Sequence, residues 1–369
     1  VYKRQLWDAE ALYVAFDCVD LDVMSTITKR DGRVWEEGDC VELFLIPADG
    51  PFTRIELELN PNLDIVHRAL GALHQATGKY EQAEAAYLQA LRIDPKNARS
   101  LSGLGTIHML QKKPEEAEAS FSQAIGLHPG DWSAYNSLGY FLYKSGRYAE
   151  AATQYEVVVA LDNRNMVGYA NLGAAYMLAG NFSASVKAFE RANEIEPRPL
   201  AYSNLGLMYY YLGQFDKAIG AHGQAVKLAP NDHLSWSNLG DAFWIAGNEA
   251  QASNPFETAE QLATSALQLN PNDPGYLMDL AWITTNLGKA EEAEKLITRA
   301  HSQAPDDPYV HYYEGLMLLR GGNAEAALSS FATALGHGYS VQLLAADPQL
   351  AQLHENPRFR EITLRANSQ

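Results

Sequence analysis

The chain has 369 residues, of which 47% are hydrophobic, and its 45 acidic and 28 basic side chains give a formal net charge of −17. The hydrophobic fraction excludes an intrinsically disordered chain, and the length suits two or three globular domains or one long repeat array. The negative charge disfavours a nucleic-acid backbone or an anionic membrane as the partner, and no apolar run approaches the length of a membrane span.

The beginning of the chain carries no recognisable export signal. Residues 1–5 include two basic side chains, but no long apolar segment follows them, so the sequence shows no signal peptide. Because the first residue is Val1 and not methionine, we expect the chain to be a fragment or a processed product.

Residues 1–62 have the pattern of a small β-structure. Short apolar runs at residues 12–16 and 41–46 favour strands, and residues 55–59 alternate between apolar and acidic side chains, as a half-exposed strand does. The two cysteines, Cys18 and Cys40, fall in these strand-like segments. We interpret them as small buried residues, with a disulfide between them as the alternative.

This region resembles part of carbohydrate-binding module family 9. The resemblance is carried by residues 6–8, 12–16, 35–44 and 58–61. It covers only residues 6–62, which is much less than the β-sandwich of that family, so it implies an incomplete domain. Sugar binding in the family relies on aromatic platforms, and Trp35 is the best single candidate here, although a packing role is favoured for it.

From residue 63 onwards the apolar period is helical, and a Leu-Gly pair recurs every 34 residues, with one interval of 33. A small residue follows each glycine by twelve positions, and an aromatic ring usually comes four positions later. The pairs are Leu70-Gly71, Leu104-Gly105, Leu138-Gly139, Leu172-Gly173, Leu205-Gly206 and Leu239-Gly240. The pattern resembles the tetratricopeptide repeat (TPR). The resemblance implies a mainly α fold, namely a right-handed solenoid of about eight antiparallel helix pairs, each with a helix A and a helix B.

Eight repeats are predicted, at residues 64–97, 98–131, 132–165, 166–198, 199–232, 233–273, 274–307 and 308–341. Turns between helices A and B are marked by Gly78, Gly146, Gly180, Gly213, Gly247 and Gly288. We expect the glycine of each Leu-Gly pair to face the small residue twelve positions later, where the two helices meet. Repeat 6 has seven extra residues, which predicts a helix B that continues through Leu267. Pro255 falls inside this helix and is unexplained there, unless it sits in the first turn. Repeat 8 has Glu314-Gly315 in place of Leu-Gly.

Residues 342–369 are predicted to form a capping helix and tail after the TPR superhelix of residues 63–341. The motifs Gly338-Tyr339 and Asp347-Pro348 resemble the ends of bacterial repeat arrays attached to signalling domains. Because no signal peptide is visible and we expect the N-terminus to be incomplete, the compartment is left open between the bacterial cytoplasm and the periplasm.

The resemblance places the candidate site on the inner face of the A helices, which line a concave groove in this family. The sixth position of three consecutive repeats is asparagine: Asn171, Asn204 and Asn238. An amide both donates and accepts hydrogen bonds, so this row could hold the backbone of an extended peptide; pairing of the amides within the array is the competing interpretation. Aromatic residues at groove positions, each with a packing role as the alternative, are Tyr140, Tyr143, Tyr210, Tyr211, Trp244, Trp282, Tyr312 and Tyr313.

The sequence therefore predicts a non-enzymatic scaffold that binds a protein or an extended peptide in the groove of repeats 3 to 8. No phosphate loop, nucleophile elbow or paired-histidine metal motif is present, so we expect no catalytic site, no cofactor and no metal site. The basic groove residues Arg68, Lys144 and Arg320 belong to three separate repeats, which disfavours a clamp for chaperone carboxyl termini. The alternative function is polysaccharide binding through residues 6–62, with the array as an accessory.

Overall fold

The computed structural model describes residues 63–367, which form helices joined by short turns, without a strand in this range. The predicted strands, both cysteines and Trp35 lie outside it. Sixteen of the helices follow one another as eight pairs, which confirms the predicted α-solenoid. The pairs are α1 (Leu63–Ala76) and α2 (Tyr80–Ile93), α3 (Ala98–Leu110) and α4 (Pro114–Leu127), α5 (Trp132–Lys144) and α6 (Tyr148–Leu161), α7 (Met166–Leu178) and α8 (Phe182–Ile195), α9 (Pro199–Tyr211) and α10 (Phe215–Leu228), α11 (His233–Ile245) and α12 (Glu249–Leu269), α13 (Pro274–Asn286) and α14 (Ala290–Gln303), and α15 (Pro308–Arg320) and α16 (Ala324–Gly336).

The described residues divide into two compact units, which meet between Ser137 and Leu138 and which we call the N-terminal and C-terminal units. In the described part of the N-terminal unit, α1 to α4 pack in sequence around a core that includes Tyr87 and Leu104. In the C-terminal unit, α7 contacts α9, α9 contacts α11, and α13 contacts α15. Successive A helices therefore lie next to each other and line one side of this unit.

Helices A and B of a pair approach each other closely at the repeat glycine. A Cβ atom placed on Gly240 would lie 2.7 Å from the ring of Phe256, a contact closer than real Cβ atoms make. The same spacing of sixteen residues relates Gly71 to Tyr87, Gly105 to Phe121, Gly139 to Tyr155, Gly173 to Phe189, Gly206 to His222 and Gly315 to Phe331. The prediction that the glycine faces the small residue is therefore incomplete. Ser185 does donate a hydrogen bond of 2.7 Å to the carbonyl of Gly173, but an aromatic ring fills the space of the missing Cβ.

The turns follow the punctuation of the sequence. All six predicted turn glycines have positive φ, between 68° and 78°, which glycine adopts without steric strain. Several A helices begin at a side chain that accepts a hydrogen bond from a backbone N–H two or three residues later, as at Asn97, Asn165, Asp232, Asp273 and Asp307. Both ends of these helices are thus set locally.

Helix α12 has 21 residues and confirms the predicted extension in repeat 6. Pro255 is the seventh residue of this helix and is buried, so it does not lie in the first turn, the one place that would have explained it. Within the described residues, none of the helices combines the length and the apolar character that a membrane crossing requires.

After α16 the chain forms α17 (Val341–Ala346), a 3-10 helix (Pro348–Leu353) and α18 (Pro357–Asn367). Helix α18 packs against α16, where the guanidinium of Arg358 lies 2.6 Å from the carboxylate of Glu325, so α18 covers the last pair. Helix α17 instead contacts α7, which belongs to repeat 4. The chain therefore turns back onto the side of the C-terminal unit that the A helices line.

Candidate functional site

The A helices of the C-terminal unit border a cavity of about 540 Å³, which we call the inner cavity. Helices α9, α11, α13 and α15 contribute to its wall, as does the segment that follows α16. The wall includes Asn204, Tyr210, Tyr211, Asn238, Asp241, Trp282, Tyr309, Tyr312, Tyr313, Tyr339 and Gln349.

Residues 338–353, which we call the C-terminal segment, form part of this wall. The carboxylate of Asp347 is fully buried and accepts hydrogen bonds from the Tyr210 hydroxyl, at 2.5 Å, and from the Tyr312 hydroxyl. The ring of Tyr339 stacks on that of Tyr312, with centroids 4.4 Å apart. Leu344 is also fully buried. Buried hydrogen bonds and ring contacts thus fix the segment as part of the wall.

Two of the three predicted asparagines lie at the inner cavity. Asn204 on α9 and Asn238 on α11 are half-buried and line it, whereas Asn171 on α7 is half-buried outside its wall. The structure therefore brings together a pair of amides from adjacent A helices.

The predicted aromatic residues differ in how they are used. Tyr143, Tyr210, Tyr211 and Trp282 line the inner cavity, whereas Tyr140 is 48% exposed outside it. Trp282 is buried, and its indole N–H donates to both carboxylate oxygens of Asp241 at 3.1 Å. The hydroxyl of Tyr210 and the indole N–H of Trp282 thus donate hydrogen bonds to other side chains of this protein, so these two residues contribute their rings to the wall.

Trp244 lies outside the wall and contacts a half-buried cation. The guanidinium of Arg320 lies 3.9 Å from the centroid of the Trp244 ring and 4.7 Å from that of Trp282, and it donates a hydrogen bond to Asn286. Burial lowers the pKa of Arg320, and the nearby charge of Asp241 opposes this shift by raising it. This basic groove position is therefore engaged by two indole rings and an amide.

The wall of the inner cavity contains carboxylates but neither lysine nor arginine. Burial raises the pKa of the half-buried Asp241 to about 7, although the Trp282 N–H and the charge of Arg320 act in the opposite direction. Burial also raises the pKa of Asp347, which the hydroxyls of Tyr210 and Tyr312 lower. A positive group in the cavity would relieve the cost of burying either negative charge.

Comparisons with known proteins agree with the repeat pattern. A family model described as tetratricopeptide repeat matches residues 68–131, 111–165 and 285–350, and three others with the same description match residues 168–199, 199–232 and 254–313. Together they span more than half of the chain. None matches residues 1–63, so the resemblance to carbohydrate-binding module family 9 gains no support. No curated protein matches the chain.

Several solved structures are similar to part of this chain. MamA is 25% identical with a TM-score of 0.41, over 45% of this chain and 91% of MamA. PilF of Pseudomonas aeruginosa is 18% identical with a TM-score of 0.48, over 58% of this chain and 95% of PilF. YrrB, described as a TPR protein with an unusual peptide-binding site, is 22% identical with a TM-score of 0.41, over 47% of this chain and 89% of YrrB.

Proposed function

Because the chain belongs to the tetratricopeptide repeat family, whose arrays typically serve as non-enzymatic interaction scaffolds, we propose that its C-terminal unit binds a short extended segment of another protein in the inner cavity. The observation that carries this proposal is the pair of half-buried amides, Asn204 and Asn238, on the wall of a cavity that also presents aromatic rings. Each amide can pair with both the N–H and the C=O of a peptide backbone.

The size of the cavity favours a short bound segment. Its volume of about 540 Å³ falls within the range of about 300–1,000 Å³ that is usual for ligand pockets. The C-terminal segment occupies further space on the same side of the unit. A few residues of a partner therefore fit better than a strand that runs along repeats 3 to 8, which was the wider expectation from the sequence.

The charge of the wall favours a neutral or basic segment. Asp241 faces the cavity, and no lysine or arginine side chain lines it. An acidic segment would bring like charges together in a partly desolvated space, whereas a lysine or arginine side chain would meet a carboxylate and several aromatic rings. The polysaccharide alternative rests on residues 6–62, outside the described range, and no observation favours it.

The proposal can be tested with a library of immobilised peptides probed with the purified full chain. Peptides that are retained would then be synthesised, and their Kd measured by fluorescence anisotropy. We expect the double variant Asn204→Ala, Asn238→Ala to bind them about 30-fold more weakly, since each amide loses at least one hydrogen bond of about 1 kcal/mol. Basic and neutral sequences should dominate the retained set.

Two single variants serve as controls. Asn254→Ala removes an exposed amide on α12, and Asn171→Ala removes the amide of the row that lies outside the cavity wall. Both should bind like the unaltered protein. An unchanged Kd in the folded double variant, or an equal loss in the Asn254→Ala variant, would contradict the proposal.

A further inference from the structure

Three side chains with metal-binding atoms meet outside the inner cavity, where repeats 7 and 8 join. His301 lies near the end of α14, and His311 and Glu314 lie three residues apart on α15, so they share one face of that helix. One ligand atom from each residue lies within 4.8 Å of those of the other two. Nε2 of His301 lies 3.1 Å from Oε1 of Glu314. All three residues are half-buried.

The repeat architecture does not require these polar residues. Glu314 replaces the leucine of the Leu-Gly pair, which is buried in six other repeats: Leu104, Leu138, Leu172, Leu205, Leu239 and Leu280. His301 comes twenty residues after the position of the repeat glycine, where five of the other seven repeats have an apolar residue (Leu91, Ile125, Val159, Val226 and Leu335) and two have Asn193 and Glu260. In the N-terminal unit the corresponding Leu91 and Leu104 belong to one apolar cluster. A histidine and a glutamate thus replace an apolar contact, at a desolvation cost that the fold itself does not explain.

Neighbouring groups hold two of the three side chains in a metal-binding orientation. The second carboxylate oxygen of Glu314 accepts a hydrogen bond of 2.8 Å from the buried Ser330 hydroxyl. Nε2 of His311 lies 2.8 Å from the carbonyl oxygen of Pro305, to which it donates, so the lone pair is on Nδ1. A carbonyl that fixes the tautomer and a hydroxyl that orients the carboxylate are typical supports of metal ligands.

The third side chain carries an unsatisfied nitrogen. Nε2 of His301 is buried and has no hydrogen-bond partner among residues 63–367, despite its distance of 3.1 Å from Glu314. A buried polar atom without a partner costs about 1–3 kcal/mol. A metal ion between this nitrogen and the carboxylate would satisfy both.

We propose that His301, His311 and Glu314 bind a divalent transition-metal ion, with Zn²⁺ as the best match. Two imidazoles and one carboxylate are a ligand set that zinc accepts, with a water molecule in the fourth position. Tetrahedral ligands at about 2.1 Å from zinc lie about 3.4 Å from one another. The pair of His301 and Glu314, at 3.1 Å, must therefore separate slightly, and atoms up to 4.8 Å apart must approach by at most about 1.4 Å. The bound ion would link α14 to α15. This site is independent of peptide binding in the inner cavity.

Zinc alone is the probe for the test. The full chain, freed of metal with a chelator, would be titrated with Zn²⁺ by calorimetry, and Co²⁺ would report the ligand geometry through its visible absorption. We expect one site that depends on His301, His311 and Glu314, and a rise in Tm on zinc addition, because the ion binds the folded state. Ser330→Ala, which removes the support of the carboxylate, should weaken binding by about 10–100-fold.

Glu314→Leu is the decisive variant because it restores the leucine of the other repeats. It should fold at least as stably as the unaltered chain and lose the site, with an affinity lower by more than about 100-fold. Glu314→Gln, which keeps the shape of the side chain, provides a second variant with the same expectation. His128→Ala, which removes an exposed histidine in the N-terminal unit, should bind zinc normally. Absence of binding by the unaltered chain, full binding by either Glu314 variant, or an equal loss in the His128 variant would overturn the proposal.

Discussion

The hydroxyl of Tyr210 donates a hydrogen bond of 2.5 Å to the carboxylate of Asp347, which lies 137 residues later in the chain. Tyr312 donates to the other oxygen of the same carboxylate. Both tyrosines and Asp347 are buried. One side chain of the C-terminal segment thus joins the A helix of repeat 5 to that of repeat 8, and the wall of the inner cavity depends on it.

We expect Asp347→Ala to destabilise the C-terminal unit by about 2–6 kcal/mol. The substitution leaves two buried hydroxyls without an acceptor, and each unsatisfied group costs about 1–3 kcal/mol. Urea unfolding followed by circular dichroism would measure the change. Glu355→Ala, an exposed carboxylate just after the 3-10 helix, is the matched control and should leave the midpoint unchanged.

A double-mutant cycle would assign this loss to the contact itself. Tyr210→Phe combined with Asp347→Ala should cost less than the sum of the two single variants, with a coupling energy of about 0.5–3 kcal/mol. Strict additivity would show that the two residues stabilise the unit independently.

Two glycine-to-alanine substitutions should have opposite effects. Gly240→Ala places a Cβ 2.7 Å from the ring of the buried Phe256, and the resulting overpacking should cost about 1–3 kcal/mol. Gly220→Ala, on the exposed side of α10, meets no atom within 4 Å and should stabilise the helix by about 0.5–1 kcal/mol. Chemical unfolding of both variants would check this, and equal signs would refute the close approach of α11 and α12.

The fold was predictable from the sequence because each close contact within a helix pair recurs at a fixed spacing. Gly240 and the ring of Phe256 are sixteen residues apart, and every other Leu-Gly pair repeats this relationship, which the prediction that the glycine faces the small residue had not included. The turn glycines were predictable because positive φ selects glycine. Such local rules need no knowledge of the rest of the chain.

The candidate site was only partly predictable, because its contacts obey no period. Asn204 and Asn238 follow from the repeat spacing, but the contact of Tyr210 with Asp347 depends on how the C-terminal segment turns back. The cluster of His301 and Glu314 matches no short motif, since its residues come from two helices. The sequence did signal Glu314 as a departure from Leu-Gly, but His301 gave a weaker signal, because the equivalent position is also polar in two other repeats, at Asn193 and Glu260.

His222 should make the C-terminal unit sensitive to acid. It takes the place of the aromatic ring against Gly206, and burial lowers its pKa from 6.5 to about 4. Between these values the unfolded state binds more protons than the folded state, so stability is present above about pH 6.5 and is lost as the pH falls towards 4, by up to about 3 kcal/mol.

His222→Phe should remove this dependence on pH. The variant supplies the ring that faces glycine in other repeats, and it eliminates Nδ1, which is buried without a partner in the described part of the chain. Unfolding free energies measured from pH 4 to 8 should differ most at the acid end. His128→Ala, at an exposed histidine, should retain the profile of the unaltered chain, and a His222→Phe profile parallel to it would contradict the assignment.

Asp241 should lower the stability of the C-terminal unit as the pH rises, whereas His222 lowers it as the pH falls. Burial raises its pKa from 3.8 to about 7, so the folded state binds more protons than the unfolded state between these values. The stability contributed by Asp241 is therefore fully present below about pH 4 and is lost as the pH rises through 7, by about 4 kcal/mol at most.

Asp241→Asn keeps an oxygen that can accept from the Trp282 N–H and carries no charge, so the variant should be more stable than the unaltered chain at pH 8 and similar to it near pH 4. Urea unfolding across this range, with the exposed Asp216→Asn on α10 as the control, would measure the difference. Because the pKa of the buried Asp347 is also raised, the unfolding free energy of the variant should still fall with rising pH, with a smaller slope. A slope equal to that of the unaltered chain would contradict the assignment, because it would show that Asp241 is ionised in the folded state at no cost.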